Sequence, residues 1–476
     1  MLDTNDLAAI DFVKKKVGLK ILPRLTDTVS MKSALMLYQK TLKEEFGDII
    51  KKASLSVLDK AHDDDEKGLA RLAEDVPIVK IVDTLLRHAV IQDASDIHIE
   101  PMEEKVLIRY RIDGILHDAM ELPLHVAAGI TARIKVLSRL KLDEKRLPQD
   151  GRFKIEADLE RVSFRVSVLP TFYGEKIVMR LLREGGGNFT LESLGFHGAG
   201  LEHIYAATRQ KTGMILVTGP TGSGKTTTLY TILDILNTPE VNISTIEDPI
   251  EYQMPRVNQT QVRPDIGFSF AQGLRALVRQ DPDIIMVGEI RDTETASLAV
   301  NAALTGHVVL STLHTNSASA TIPRLVDMEA EPFLLVSTMR VIVGQRLVRK
   351  LCGEREEYTL SDKEIKKLEE AVDLEKVLGV LYDENKIKKG TSIAEVTFYR
   401  PKESTECPEG YAGRIGIHEI LPATPEIREL ILRGASADKL EAQAKKEGML
   451  TMIEDGIYKA AIGVTSIEEV LRVVSE

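Results

Sequence analysis

One stretch, Gly219 to Thr227, limits what this chain can become more than any other. Before it, Met214-Ile215-Leu216-Val217-Thr218 is short, apolar and partly β-branched, the pattern of a buried strand. After it, Leu229-Tyr230-Thr231-Ile232-Leu233-Asp234-Ile235-Leu236 spaces its apolar residues as a helix does. Strand, glycine-rich turn, Lys-Thr and helix together make the Walker A pattern in its required context. Gly222 and Gly224 let the backbone curl until several N–H groups converge on phosphate oxygens, and the helix N-terminus adds its dipole. Lys225 brings a point charge to the β- and γ-phosphates, and the Thr226 hydroxyl can ligate Mg²⁺. The candidate nucleotide-binding residues are therefore Gly219, Pro220, Thr221, Gly222, Ser223, Gly224, Lys225, Thr226 and Thr227, with ATP and Mg²⁺ as ligands.

A length of 476 residues suggests about two to four domains. The 43% hydrophobic and 28% charged content is that of an ordinary globular chain. A net charge of −11, few aromatics and no Trp argue against a general nucleic-acid binder. No apolar run is long enough to span a membrane, and Met1-Leu2-Asp3-Thr4-Asn5-Asp6 lacks the basic start and apolar core of a secretory signal. The two cysteines, Cys352 and Cys407, do not make a disulfide framework. These features together point to the cytoplasm.

Residues 1–67 read as an amphipathic helical segment ending in the charged linker His62 to Lys67. Residues 75–184 read as a compact α+β (PAS-like) domain rich in arginine. A helix is expected around Val79 to Val90, and period-two strands at Ser95–Glu100, Val106–Ile112, Val162–Val168 and Ile177–Leu182. A turn is expected at Asp113-Gly114, a helix with outward arginines over Ile130 to Leu140, and a loop at Pro148 to Arg152. Gly185-Gly186-Gly187-Asn188 is a natural hinge. Over residues 190–350, strands at Met214–Thr218, Val241–Glu247, Ile284–Gly288 and Val308–Thr312 alternate with helices after the glycine-rich turn, at Ala271–Arg279 and at Thr293–Leu304. That alternation predicts a parallel, doubly wound α/β sheet. Residues 351–415 are charged, with an exposed helix expected from Asp362, and 416–476 read as a helical bundle with Ser436 and Thr465 as N-caps.

Three further stretches carry chemistry. Asp283 to Glu289 is an apolar strand ending in a carboxylate, expected beside the Gly219–Thr227 strand, so Glu289 can hold Mg²⁺ or orient the attacking water. Gly288 stands where an acid usually precedes it, which loosens the metal position. Thr245-Ile246-Glu247-Asp248-Pro249-Ile250-Glu251 gathers carboxylates that repel unless a cation joins them, and Glu247 is a candidate to position or activate water. His307 and His314 stand at the two ends of one strand, expected next to the nucleotide strand, as candidate γ-phosphate sensors.

Taken together, Gly219–Thr227, Thr245–Glu251, Gly288-Glu289-Ile290-Arg291-Asp292 and Gly306-His307 through His314-Thr315 closely resemble the Walker A, Asp box, Walker B and His box of the secretion-superfamily ATPases of type IV pilus assembly and type II secretion. The resemblance extends over about residues 75 to 476, through Ser95–Glu100, Leu147–Arg152 and Gly413–Glu419. It implies a RecA-like core, a hexameric ring of two-domain subunits, and ATP held between the domains. Arg165 and Arg180, and Arg275 and Arg279 before the Walker B strand, match the family's functional arginines, whose guanidinium groups neutralise transition-state charge. Such ATPases often carry two CxxC pairs that bind zinc. Here Arg355 and Tyr411 stand near the missing thiols, so the subdomain is expected to be metal-free and held by packing.

The resemblance implies a motor that drives pilin polymerisation at the cytoplasmic face of the inner membrane. It would associate peripherally through a membrane platform protein, with no specific nucleic acid. A type II secretion motor is the alternative. A DNA-translocating ring, or a nucleotide-gated ring without turnover, fits less well. The first domain and long C-terminal region fit both leading readings better than the shorter pilus-retraction ATPases.

Overall fold

The computed structural model describes residues 66–157, 160–183, 189–404 and 407–475, with short stretches before residue 27. The hinge expected at Gly185 to Asn188 and nearly all of the expected N-terminal helical segment lie outside them. The chain divides into two units, Met1–Glu184 and Gly185–Glu476.

The first unit opens with helices α1 (Glu66–Ala73) and α2 (Val76–Ile91), so the tail of the expected linker is already helical. Strands β1 (Asp96–Pro101), β2 (Lys105–Ile112) and β3 (Ile115–Pro123), helix α3 (Ala127–Leu137), and strands β4 (Gln149–Ala157), β5 (Glu160–Thr171) and β6 (Gly174–Arg183) follow. The strands form one six-stranded sheet in the order β3-β2-β1-β6-β5-β4. Asp113 and Gly114 join β2 to β3 with positive φ at both positions, 48° and 90°, the twist that a two-residue hairpin requires. Ile97, Ile99, Ile108, Tyr110, Phe164, Val166 and Met179 alternate inward against the helices, and the Tyr110 hydroxyl donates to the Leu85 carbonyl at 3.0 Å. The expected loop at Pro148 to Arg152 is instead the start of β4 from Gln149 onward. Helix α3 stops at Leu137, so Arg139 lies beyond it in the left-handed region at φ 57°.

The second unit contains α4 (Gly198–Thr208), β7 (Gly213–Thr218), α5 (Lys225–Leu236), β8 (Ile243–Glu247), β9 (Val257–Gln261), α6 (Phe270–Leu277), β10 (Ile284–Val287), α7 (Thr293–Leu304), β11 (Val308–Leu313), α8 (Thr321–Asp327), α9 (Pro332–Thr338) and β12 (Met339–Leu351). Next come β13 (Arg355–Tyr358), α10 (Asp362–Glu369), α11 (Leu374–Asp383), β14 (Phe398–Pro401), β15 (Tyr411–Pro422) and the helices α12 (Pro425–Leu432), α13 (Ala437–Lys446), α14 (Met452–Ala461) and α15 (Ile467–Ser475). Seven strands form the sheet, in the order β15-β12-β7-β11-β10-β8-β9. All pairings from β12 through β9 are parallel, and β15 closes the edge antiparallel to β12. Helices cover both faces, one apolar cluster gathering Leu274, Ala299 and Leu335, the other Ile204, Leu229 and Ile232. This is the doubly wound α/β core that the sequence predicts.

Three expectations need correction. The strand ending at Glu289 is not beside the phosphate-loop strand, because β11 lies between β10 and β7. The chain from residue 416 is not helical at once: β15 runs from Tyr411 to Pro422, and Gly413 and Gly416 interrupt the alternation that would have revealed it. Gly416 is needed there, since a Cβ would lie 2.3 Å from His418 Nε2. Thr465 is not the last cap; Ser466 Oγ accepts the Glu469 N–H, while the Thr465 hydroxyl donates to the Arg349 carbonyl.

The segment between β12 and β15 has a small core of Leu368, Val377, Leu381 and Phe398, packed on Ile457 and Tyr458 of α14. Cys352 and Cys407 are joined in a disulfide across 55 residues, with a Cα separation of 6.6 Å. Packing alone was expected to hold this region. Strand pairing makes the difference, because Cys352 follows β12 and Cys407 precedes the neighbouring β15, and the Cys352 N–H donates to the Gly410 carbonyl at 3.0 Å. Arg355 and Tyr411, close in sequence to the two cysteines, pack on neighbouring side chains. The Arg355 guanidinium lies 4.3 Å from the Tyr399 ring, and the Tyr411 ring lies 4.2 Å from the Arg349 guanidinium.

Candidate active site

The phosphate loop leaves the buried end of β7 and enters α5 through three glycines at positive φ: Gly219 at 148°, Gly222 at 81° and Gly224 at 86°. Gly224 is the N-cap of α5, and no side chain caps the helix, so its first-turn N–H groups are free for an anion. A Cβ on Gly222 would meet nothing within 4 Å, so that side of the loop is open, while Cβ atoms on Gly219 and Gly224 would strike Gln345. The buried Ser223 Oγ has no partner. An open cradle of N–H groups and an unpaired hydroxyl fit a polyphosphate.

Lys225 is buried, and its Nζ donates to the Gly219 and Pro220 carbonyls at 2.8 and 2.9 Å. Burial lowers its pKa to about 8, and the nearby negative charge of Glu289 opposes that shift. Glu289 follows β10 and is thus electrostatically within range of the loop although two strands away from β7. Its carboxylate meets Arg291 Nε at 2.6 Å and His314 Nε2 at 3.3 Å. The hydroxyl of Thr226 and the carboxylate of Glu289 are hard oxygen donors, the set that Mg²⁺ takes. The end of β11 is tied to the end of β7 by Thr315, whose backbone N–H donates to Thr218 Oγ1 at 2.9 Å while the two hydroxyls meet at 2.6 Å.

Strand direction separates the two histidines. In the β11–β7 register, Leu313 pairs with Thr218 and Val308 with Gly213. His314 is therefore at the phosphate-loop end, and His307 lies about 20 Å away at the other end of the strand. His307 Nδ1 bonds the Ala302 carbonyl at 2.8 Å in the last turn of α7. Within one chain His307 ties strand to helix, and the expectation of a phosphate sensor there is corrected.

Glu247 is enclosed rather than open. Tyr230 and Thr245 hydroxyls and the Gln259 amide all donate to its carboxylate, which is 2% exposed. Burial pushes its pKa up. It joins α5, β8 and β9, and this arrangement does not present it as a water-activating base. Arg275 pairs with Glu294 at 2.6 Å, and Arg279 donates to the Arg275 carbonyl at 2.7 Å, so both guanidinium groups have local partners on the surface of the second unit.

In the first unit, Arg152, Arg165, Arg180, Asp96 and Arg111 stand directly opposite one another across β4, β5, β6, β1 and β2. Asp96 holds Arg180 Nε at 2.9 Å and Arg111 Nε at 3.7 Å. Arg152 and Arg165 are exposed. Like charges set directly opposite destabilise a sheet, so the Arg152–Arg165–Arg180 end of the row suits an anion.

The sequence reading overlooked Arg291, although it lies within the Gly288–Asp292 motif, and Gln345. The latter had a signal: it directly follows the apolar run Val341-Ile342-Val343-Gly344, and a buried amide needs partners.

The comparisons with known proteins give the family of the chain. Residues 71–472 match the family model described as Type II/IV secretion system protein. The type II secretion system protein E of Xanthomonas campestris is 42% identical over 475 residues, covering 100% of this chain and 80% of that protein. The type IV pilus assembly ATPase PilB of Myxococcus xanthus is 41% identical over 474 residues, covering 99% and 81%. Among solved structures, the pilus retraction motor PilT with bound ADP superposes with a TM-score of 0.56 at 28% identity, over 82% of this chain and 96% of that one. The Legionella pneumophila ATPase DotB, at 22% identity and a TM-score of 0.59 over 83% of this chain and 95% of that one, shares the fold. With these matches and the phosphate loop beside Glu289 and His314, the chain belongs to the type II/IV secretion system protein family and is a nucleotide-binding ATPase.

Proposed function

We propose that this ATPase hydrolyses MgATP to drive assembly of a pilin-type filament, working as a homo-hexameric ring against a platform protein at the cytoplasmic face of the inner membrane. The observation that carries the catalytic part is the contact of Glu289 with His314 at the phosphate-loop end of the sheet, within electrostatic range of Lys225. Lys225 releases the Gly219 and Pro220 carbonyls and turns its charge to the phosphates. Thr226 and Glu289 would hold the metal, which when bound neutralises phosphate charge. Glu289 orients the attacking water, with Arg291 and His314 holding its carboxylate in place. Phosphoryl transfer asks a protein mainly for placement and electrostatics, and these groups supply both. Arg165 and Arg180 are proposed to reach the terminal phosphate during turnover. Their support is the run of like charges set directly opposite one another, Arg152 to Arg165 to Arg180, in which Asp96 meets the Arg180 end and an incoming anion would relieve the rest.

The cellular role rests on the relatives. Pilus assembly ATPases and type II secretion proteins match this chain almost equally, which keeps the secretion reading beside the first. No helix among the described residues is long and apolar enough to cross a membrane, in keeping with attachment through a partner. Deleting the gene in its host and scoring both surface pili and secreted proteins tests the role. Loss of pili with normal secretion is expected, and the opposite pattern selects the secretion motor.

A further inference from the structure

We propose that Gln345 is a positioning residue for the phosphate loop: reaching over from β12, its buried amide fixes the curl of Gly219–Thr227 and so sets nucleotide affinity. Gln345 is 3% exposed and follows Gly344, which pairs with Thr218 in the β12–β7 register. Both ends of its amide are used. Nε2 donates to the Ser223 carbonyl at 2.7 Å, and Oε1 accepts from the Thr228 hydroxyl at 2.7 Å. A flipped amide would set its oxygen against the Ser223 carbonyl oxygen, so the partners define the orientation.

Peptide geometry turns this contact into a functional one. In a trans peptide the C=O and the following N–H point to opposite sides. Holding the Ser223 carbonyl against Gln345 therefore aims the Gly224 N–H away from β12, toward the side of the loop that binds anions. The glycines fit the same account. A Cβ on Gly219 would lie 2.3 Å from the Gln345 carbonyl oxygen, and one on Gly224 would lie 2.8 Å from Nε2. Two of the three loop glycines are thus required by close approach to this one residue, and Gly222 is the one facing open space. Thr228, fully buried in the first turn of α5, extends the brace from loop to helix.

The test measures MgADP affinity of the full-length chain, together with the rise in thermal midpoint that MgADP produces over each variant's own ligand-free value. Variants are Gln345→Leu, Gln345→Glu, Thr228→Val and the Gln345→Leu/Thr228→Val double. Losing a brace of two hydrogen bonds is expected to weaken MgADP binding by roughly tenfold in Gln345→Leu. Gln345→Glu keeps the size but not the donor to Ser223, and a similar loss is expected. Because both residues act in one brace, the double variant binds no worse than Gln345→Leu alone. A residue that merely stabilises the fold would lower the ligand-free midpoint and leave affinity unchanged; that result overturns the proposal, as do losses that multiply in the double variant. Should Gln345→Leu not fold, Gln345→Glu and Thr228→Val carry the same comparison.

Discussion

His314 Nε2 and the Glu289 carboxylate, 25 residues apart in sequence, meet at 3.3 Å where β10 and β11 end. The contact follows from strand order, since β10 and β11 are parallel neighbours and both end at the phosphate-loop side. Glu289 is held by both Arg291 and His314, so losing either one loosens its orientation while leaving the phosphate loop untouched. His314→Ala should therefore lower the turnover number while leaving MgADP affinity near wild type. Steady-state kinetics with a parallel binding titration checks this, and an affinity loss equal to the turnover loss would make His314 a nucleotide ligand instead.

Nucleotide binding should depend on pH through Lys225. Burial holds its pKa at about 8 in the free protein, and phosphate charge favours the protonated form, so binding raises that pKa. Below the free value Lys225 is already charged and contributes no pH dependence. As pH rises past about 8, binding must take up a proton, and affinity should fall about tenfold per pH unit. Calorimetry in buffers of different ionisation enthalpy reads the proton uptake directly; no uptake at pH 9 would contradict the assignment.

Glu419 on β15 offers a stability test away from the site. Its buried carboxylate accepts the Ala318 N–H, in the loop that follows His314 and Thr315. Burial raises its pKa from 4.5 to about 7; Glu441 pushes the same way, and Lys445 and Arg346 oppose. An acid with a raised folded pKa favours the folded state below its unfolded pKa, and that contribution is lost as pH climbs to the folded value. The window is pH 4.5 to 7, and the loss is on the order of 3 kcal/mol. Glu419→Gln keeps an acceptor for Ala318 without the charge. The variant should match wild type near pH 4.5 and exceed it in denaturant midpoint at pH 8, and equal midpoints at pH 8 would refute this.

Arg165→Ala and Arg180→Ala should bind MgADP normally and hydrolyse ATP slowly, by roughly 10³-fold where the arginine meets transition-state charge. Asp96→Asn provides a contrast, since it frees Arg180 from its ion pair without removing the guanidinium. Turnover in both arginine variants equal to wild type would return the row to a purely surface role.

Much of this site was legible because its parts are local. The phosphate loop lies between a strand and a helix contiguous in sequence, and β7, β10 and β11 are apolar runs with turn residues at their ends. The pairings that matter most are not local. Nothing in the run Ile284 to Val287 says that β11 will sit between it and β7. Glu247 looked like an open acid because Tyr230 and Gln259, its donors, come from other elements. The Cys352–Cys407 bond depends on β12 and β15 being neighbours, which their spacing of 55 residues conceals. His307 and His314 looked equivalent until strand direction put only one of them at the phosphate end.

The central claim is that Glu289 acts in the chemistry of ATP hydrolysis rather than in holding the nucleotide. The most direct measurement is a single-turnover assay on full-length Glu289→Gln, with radiolabelled MgATP bound before the chase. The account predicts that ATP binds at near wild-type affinity and stays intact on the protein through many wild-type turnover times. Release of phosphate at the wild-type rate, or failure to bind ATP at all, would contradict it.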